Sequence, residues 1–230
     1  APLNAAFMYG WLGLPAMGAP GAALATAISH WAAFLAYYLV WRRSRFYDAM
    51  RASRFYGPDP KALANHLRLG LPIGGSTFFE VSSFTLMAML VARIGTIEVA
   101  AHQIVANITA TLYMVPLSIG IAASVLVSQC LGAGRPDLAR RATLRTLACA
   151  TAIACVSSAL LYLLRHWLVG LYTPDAAVTS LAASIIIFGS VYHVTDACQT
   201  VSGFALRGYR VTLAPMAVYG VFLWAVGVGG

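Results

Sequence analysis

Long apolar stretches separated by short polar segments recur along the whole chain. They predict helices at about 18–41, 62–92, 97–131, 137–171 and 176–206, part of a further helix from about 211, and the end of an earlier helix at 1–10. A helix of about 20 apolar residues is long enough to cross the hydrocarbon core of a bilayer. No segment shows the two-residue alternation that is typical of a half-buried strand. The pattern therefore predicts an all-α polytopic membrane protein.

The composition agrees with this prediction. The chain has 230 residues, of which 60% are hydrophobic and 10% charged, whereas soluble domains are about 45–50% apolar and about 25% charged. The sequence has no initiator Met and ends within an apolar stretch, so we expect it to be the middle-to-late part of a longer protein. Four cysteines show no CxxC spacing, and we expect them to be small buried apolar residues rather than metal or redox groups. They are Cys130, Cys149, Cys155 and Cys198.

The formal net charge of +8 is explained by membrane topology. If the helices alternate in direction, every one of the fifteen Lys and Arg residues except Arg93 and Arg165 lies on or near one side of the membrane. Loops rich in Lys and Arg stay in the cytoplasm, so this asymmetry predicts a cytoplasmic location for the basic segment 42–61. A nucleic-acid partner is therefore not needed to explain the charge.

Two of the seven acidic residues, Glu80 and Asp196, lie within predicted spans. An acid at the centre of a membrane helix costs about 2.5–3.5 kcal/mol on insertion scales, and such residues normally face the bundle interior. Polar or small residues share the helical face of each acid, and a further polar stripe follows the helix at 97–131. The neighbours are Ser76, Thr77, Ser83 and Met87 for Glu80, Tyr192, His193, Gln199 and Gly203 for Asp196, and the stripe comprises Gln103, Asn107, Thr111 and Ser118.

We expect no Lys or Arg to partner these acids inside the spans, so the stripes predict a polar cavity with uncompensated carboxylates. The free-energy cost of burying a carboxylate in such a cavity falls when the carboxylate binds a proton or a hard cation such as Na⁺. Either ion makes Glu80 and Asp196 candidates for ion coupling. The alternative reading is that each acid only hydrogen-bonds a neighbouring helix and thereby stabilises the bundle.

Four motifs carry a family resemblance: LPIGGSTFFEVSSF, AAHQIVANI, MVPLSIGIAASVLVSQCLGAGR and VYHVTDACQTVSGFALRGYR. In their order and separation they resemble the multidrug and toxic compound extrusion (MATE) transporters, in particular the NorM-like branch. The resemblance implies a fold of twelve helices in two lobes. It also implies export of organic cations and drugs in exchange for Na⁺ or H⁺, by rocking between outward-open and inward-open states.

On this pattern, 1–41 is the end of the N-terminal lobe, 42–61 the cytoplasmic linker between the lobes, and 62–230 most of the C-terminal lobe. The resemblance implies that Glu80, Asp196 and Tyr192 form the cation-coupling site, and that the two acids bind Na⁺ if Na⁺ is the coupling ion. Further candidates for the cavity wall are Gln103, Asn107, Ser83, Gln199 and His193. No cofactor is expected besides the coupling ion. The expected partners are the lipid bilayer, cationic amphiphilic drugs and the N-terminal lobe of the same protein, in the bacterial inner membrane.

Three other functions make different demands on the sequence. A flippase of the same superfamily, acting on lipid-linked or polysaccharide precursors, should place Arg or Lys in the cavity to hold phosphate. An intramembrane aspartyl protease needs two aspartates that share a proton, and this chain offers one Asp and one Glu and has no GxGD motif. A purely structural subunit would use the acids only to hold helices together. The sequence favours a transporter over an enzyme.

Overall fold

A computed structural model describes residues 2–10, 15–44 and 57–227 of the chain. The chain divides into two compact units, Ala1–Asp59 and Pro60–Gly230, and each is described by itself. The regular structure of the described residues is entirely helical, which confirms the predicted all-α class. The helices are α1 (Pro2–Tyr9), α2 (Ala19–Arg43), α3 (Pro60–Val91), α4 (Thr96–Gly132), α5 (Pro136–Leu163), α6 (Arg165–Gly170), α7 (Ala176–Gly208) and α8 (Leu213–Val218), which continues as a π-helical segment, Tyr219–Val226.

The first unit is a pair of helices in close contact. The backbone N–H of Met17 donates to the carbonyl oxygen of Phe7 at 3.0 Å, just before α2 begins. Gly21 lies against the same carbonyl, and a Cβ at this position would collide with it. Arg42 and Arg43 occupy the last turn of α2, where positive charge interacts favourably with the helix dipole.

The second unit is built around three helices, α4, α5 and α7, which pack on one another, while α3 packs mainly against α8 and the π-helical segment. The buried side chains at these contacts are mostly small. Examples are Ala101, Ala123, Ala150, Ala182, Ala197 and Val201. Small residues let helix backbones approach closely, which is how helices associate where lipid supplies no hydrophobic driving force.

Large apolar side chains lie on the outside of this unit. Phe188 is 78% exposed and Leu71 is 70% exposed, although both lie within long helices. Soluble proteins rarely expose such extended apolar surface, whereas a lipid-facing surface requires it. Five of the helices, α2, α3, α4, α5 and α7, are long and apolar enough to cross a membrane. The described part of the chain is therefore that of a multi-pass membrane protein.

The single helix predicted at 137–171 is wrong, because the structure breaks it at Leu164 into α5 and α6. At the break, Arg165 donates through Nη1 to the carbonyl oxygen of Tyr162 at 2.7 Å, and its guanidinium lies 4.4 Å from the centre of the Tyr162 ring. These contacts satisfy a carbonyl group that the helix end leaves free. Beyond the break, Val169 is fully buried in the core beside Leu161, so α6 folds back onto the bundle.

Two other expectations concern the cysteines and the division into lobes. The expectation that the cysteines are buried is wrong, because Cys149 and Cys155 are exposed on α5 and the other two are half-buried. The lipid surrounding a membrane protein is itself apolar, so an apolar residue can face lipid, and hydrophobicity alone did not predict burial. The linker at 42–61 lies largely outside the described residues, and the lobe assignment of 1–41 and 62–230 stays a prediction.

Candidate cation site

The first acid of the site, Asp196, lies on α7 one turn after Tyr192. The hydroxyl of Tyr192 donates to Oδ1 of Asp196 at 3.3 Å. Residues four positions apart share one helical face, so the local backbone alone brings this pair together. Asp196 is half-buried, and Tyr192 keeps 42% of its surface exposed. The pair therefore presents a carboxylate and a phenol oxygen together at a position that remains accessible.

The second acid, Glu80, lies on α3 and faces a cavity of about 270 Å³ between α3, α4, α7 and α8. Tyr113 of α4 interacts with the Glu80 carboxyl group and also with the hydroxyl of Thr200 on α7. Tyr113 thus connects the helices that carry the two acids. The cavity is lined by Thr77, Glu80, Val81, Tyr113, Leu117, Thr200, Gly203, Phe204, Arg207, Pro215 and Tyr219.

The two carboxyl groups lie close enough to interact electrostatically. Tyr219, the first residue of the π-helical segment, completes the group. It is buried, interacts with the Gln199 side chain, and feels the charges of both acids. Irregular π-helical turns are frequent at functional sites, and here one places a phenol beside the acids. The structure therefore gathers Glu80, Asp196, Tyr192 and Gln199 in one oxygen-rich region.

Sequence reasoning missed three members of this region: Tyr113, Tyr219 and Arg207. Tyr113 lies in the predicted helix at 97–131, but it is not at helical spacing from the polar stripe of that helix, so the sequence gives no direct signal for it. Arg207 was assigned to a turn after the span, whereas the structure places it in the last turn of α7, lining the cavity with Glu80. The expectation that no Arg or Lys partners the acids is therefore wrong. A long side chain near a helix end can reach back into the span.

The polar stripe on α4 lies on a different face from the one that lines the cavity. Gln103 and Asn107 are both exposed, and Oδ1 of Asn107 accepts a hydrogen bond of 2.8 Å from the Tyr172 hydroxyl. Tyr113 follows Asn107 by six residues. Six residues correspond to a rotation of about 240° around the axis of an α-helix, so the two side chains lie on different faces of α4. Gln103 and Asn107 therefore do not contact the acids within this chain.

Ser83 and His193 also point away from the cavity. Ser83 is buried, and its hydroxyl donates to the backbone carbonyl oxygen of Glu80 at 2.9 Å. His193 is 3% exposed, and its Nε2 lies 2.9 Å from the hydroxyl of Ser157 on α5. Successive side chains of an α-helix point in directions about 100° apart, so His193 does not share the direction of the adjacent Tyr192. His193 thus belongs to the contact between α5 and α7.

The chemistry of the region suits a proton or a hard monovalent cation. Its polar groups are carboxylate, phenol, hydroxyl and amide oxygens, which are the ligands that hard cations prefer. In the described ranges, no group of three or more His, Cys, Asp and Glu side chains is arranged to hold a metal ion. The donor set therefore does not resemble a zinc or transition-metal centre.

The family model MatE matches residues 72–228 of this chain. The probable multidrug resistance protein NorM of Aromatoleum aromaticum is 39% identical over 232 residues, covering 100% of this chain and 50% of that protein. The multidrug resistance protein PmpM of Pseudomonas aeruginosa is 38% identical over 228 residues, covering 99% of this chain and 48% of that protein. The multidrug resistance protein NorM of Vibrio vulnificus is 36% identical over a similar range.

The chain spans about half the length of these curated relatives. The relatives cover all four long helices of the second unit, α3, α4, α5 and α7, and the family model covers the same helices from residue 72 in α3 onward. The family match extends over more than half of the sequence, and the similarity to the relatives extends over nearly all of it. The chain belongs to the MatE family.

Proposed function

We propose that this chain is part of a secondary active transporter that exports organic cations and drugs in exchange for Na⁺ or H⁺. The observation that carries the proposal is the pair of acids, Glu80 and Asp196, held within membrane-spanning helices in one oxygen-rich region. Acids in such positions are costly and usually mark ion pathways. The relatives named as multidrug resistance proteins support export of drugs by the same architecture.

The coupling works by competition and population shift. When Na⁺ or H⁺ binds at Glu80 and Asp196, it neutralises the carboxylates and removes the attraction for a cationic drug. Because the acids lie on α3 and α7, which pack against different neighbours, ion binding also changes the relative stability of two helix arrangements. An ion shifts such an equilibrium only by its differential affinity for the two states. Tyr113 and Tyr219 offer aromatic rings for an organic cation.

The active transporter in this proposal has two lobes. The chain supplies the end of the first lobe (1–41), the cytoplasmic linker (42–61) and most of the second lobe (62–230), and it works with the N-terminal lobe of the same protein. The relatives, about twice as long, are consistent with this arrangement. The exposed polar residues Gln103 and Asn107 remain candidates for the wall of the transport cavity. The proposed location is the bacterial inner membrane.

A flippase for lipid-linked or polysaccharide precursors is the second candidate, and Arg207 is the observation that favours it. An Arg in the cavity is a suitable ligand for phosphate. However, two acids share the region with this single Arg, so the local charge favours a cation over a phosphate. Drug export therefore remains the better-supported function.

The test is export of a cationic dye from liposomes that contain the complete two-lobe transporter. A Na⁺ gradient and a pH gradient are imposed separately, for the unaltered protein and for Asp196→Asn. We expect one gradient to drive export and the substitution to abolish it, while Asp137→Asn, which removes an exposed acid in the first turn of α5, leaves export unchanged. If neither gradient moves the dye in the unaltered protein, the proposal is wrong and transport of a phosphate-bearing lipid should be measured instead.

A further inference from the structure

Arg207 occupies a defined position at one end of the cavity. It follows Asp196 by eleven residues on α7, which places both on one helical face about 16 Å apart along the axis. The guanidinium lies 4.4 Å from the centre of the Phe204 ring. That ring packs so closely on α4 that a Cβ at Gly120 would come within 2.9 Å of it. The packed ring therefore gives the Arg207 side chain a fixed platform.

Arg207 and Glu80 line the same cavity from opposite helices, and they interact electrostatically. Arg207 also acts on the Tyr113 hydroxyl, which faces Glu80. The negative charge of Glu80 also acts on Asp196. Glu80 thus interacts with a like charge and with an opposite charge, both carried by α7.

This arrangement is more than an anchor at the membrane surface. Arg210, three residues later, is exposed in the turn after α7, as expected of an Arg that only marks the cytoplasmic side. Arg207 is instead half-buried, stacked on a ring and part of the cavity wall. A cation in that position repels any other cation that approaches Glu80, and the repulsion is stronger in a cavity of low dielectric constant than in water.

We propose that Arg207 is a tethered counter-ion of Glu80 that competes with the coupling ion and thereby promotes its release. The inference rests on the proposed antiport function and names a positioning residue for it. An ion must bind strongly enough to enter a transport site and weakly enough to leave it. When the ion leaves, the Arg207 guanidinium compensates the Glu80 carboxylate. By the predicted topology, release takes place toward the cytoplasm, because the last turn of α7 lies on that side.

The test measures dye export from proteoliposomes as a function of the concentration of the coupling ion, with Arg207→Gln, Arg207→Lys and Arg145→Gln as variants of the complete transporter. Arg145 is exposed on α5 outside the cavity, so its substitution removes an equal charge from the same predicted side. Arg207→Met keeps the long side-chain stem and replaces the Gln variant if that variant does not reach the membrane.

We expect Arg207→Gln to lower the ion concentration for half-maximal export by roughly three- to tenfold and to lower the maximal rate, because the ion binds more tightly and leaves more slowly. The half-maximal ion concentration of Arg207→Lys should stay near that of the unaltered protein. Arg145→Gln should match the unaltered protein in both the half-maximal concentration and the maximal rate. A purely structural role for Arg207 would raise the half-maximal concentration in all its variants.

An unchanged or raised half-maximal concentration in Arg207→Gln, with normal export by the unaltered protein, overturns the inference and leaves the antiport proposal intact. An equal shift in Arg207→Lys also overturns it, because the charge would then not be the cause. If the unaltered protein exports no dye under either gradient, both proposals fall together.

Discussion

Tyrosine hydroxyls connect the acids of the candidate site. Tyr192 lies on the same helix as Asp196, one turn away, and its partnership follows from helical spacing alone. Tyr113 and Tyr219 reach the acids from α4 and the π-helical segment, so their partnership depends on how helices pack. A sequence reveals contacts along one helix but not which face of a second helix turns toward the first. For this reason the acids and Tyr192 could be singled out, whereas the other tyrosines could not.

A buried polar contact away from the site gives a test of residue-level energetics. Ser157→Ala leaves Nε2 of the buried His193 without its partner on α5, so we expect the free energy of unfolding to fall by about 1 kcal/mol. The measurement is thermal unfolding of the purified protein in detergent. Ser184→Ala is the matched control, because the exposed Ser184 hydroxyl only donates to its own helix. Equal stability of the two variants would show that the contact between helices contributes nothing.

At the level of whole helices, the hydrophobic pattern predicted well which long helices exist and where they begin and end. The helices predicted at 62–92, 97–131 and 176–206 are observed as α3, α4 and α7 with ends within about two residues. Long apolar stretches leave few alternatives in a membrane, since each backbone polar group must be satisfied within its own helix. The break at Leu164 was missed because it depends on Val169 reaching the core, which is a tertiary contact.

Close packing between α4 and α7 gives a test at this scale. A Cβ at Gly208 would lie 2.9 Å from the carbonyl oxygen of Ser124 and 3.0 Å from the Val127 side chain. Gly208→Ala must therefore push the helices apart, and we expect it to destabilise the protein by about 1–3 kcal/mol. Gly70→Ala, in α3 with open space around its Cβ, should be neutral or stabilising. The measurement is thermal unfolding of both variants. A Gly208→Ala variant as stable as the unaltered protein would contradict the close packing of α4 and α7.

On the scale of the molecule, the acids lie where two groups of helices meet. Glu80 belongs to α3, which packs with α8 and the π-helical segment, whereas Asp196 belongs to the group of α4, α5 and α7. Relative movement of the two groups would change the distance between the carboxyl groups. Such a change is what antiport requires, because an ion influences a conformational equilibrium only through different affinities for the two states.

The charge asymmetry predicts the orientation of the whole molecule. In the complete transporter with its native cysteines replaced, a cysteine at position 93 should react with a membrane-impermeant maleimide in intact cells. A cysteine at position 137, in the first turn of α5, should react only after the cells are lysed. Dye export by each variant controls for correct folding. Reaction of position 137 in intact cells would reverse the topology and the direction of ion release inferred from it.

The measurement that tests the central claim most directly is ion uptake driven by export of an organic cation. Liposomes containing the complete transporter are loaded with the cation, and entry of radioactive Na⁺ and of protons is followed as the cation leaves. We predict that one of the two ions enters in step with cation export, that Glu80→Gln combined with Asp196→Asn abolishes both fluxes, and that Asp137→Asn preserves them. Cation export without entry of either ion, or ion entry that persists in the double variant, would contradict the account.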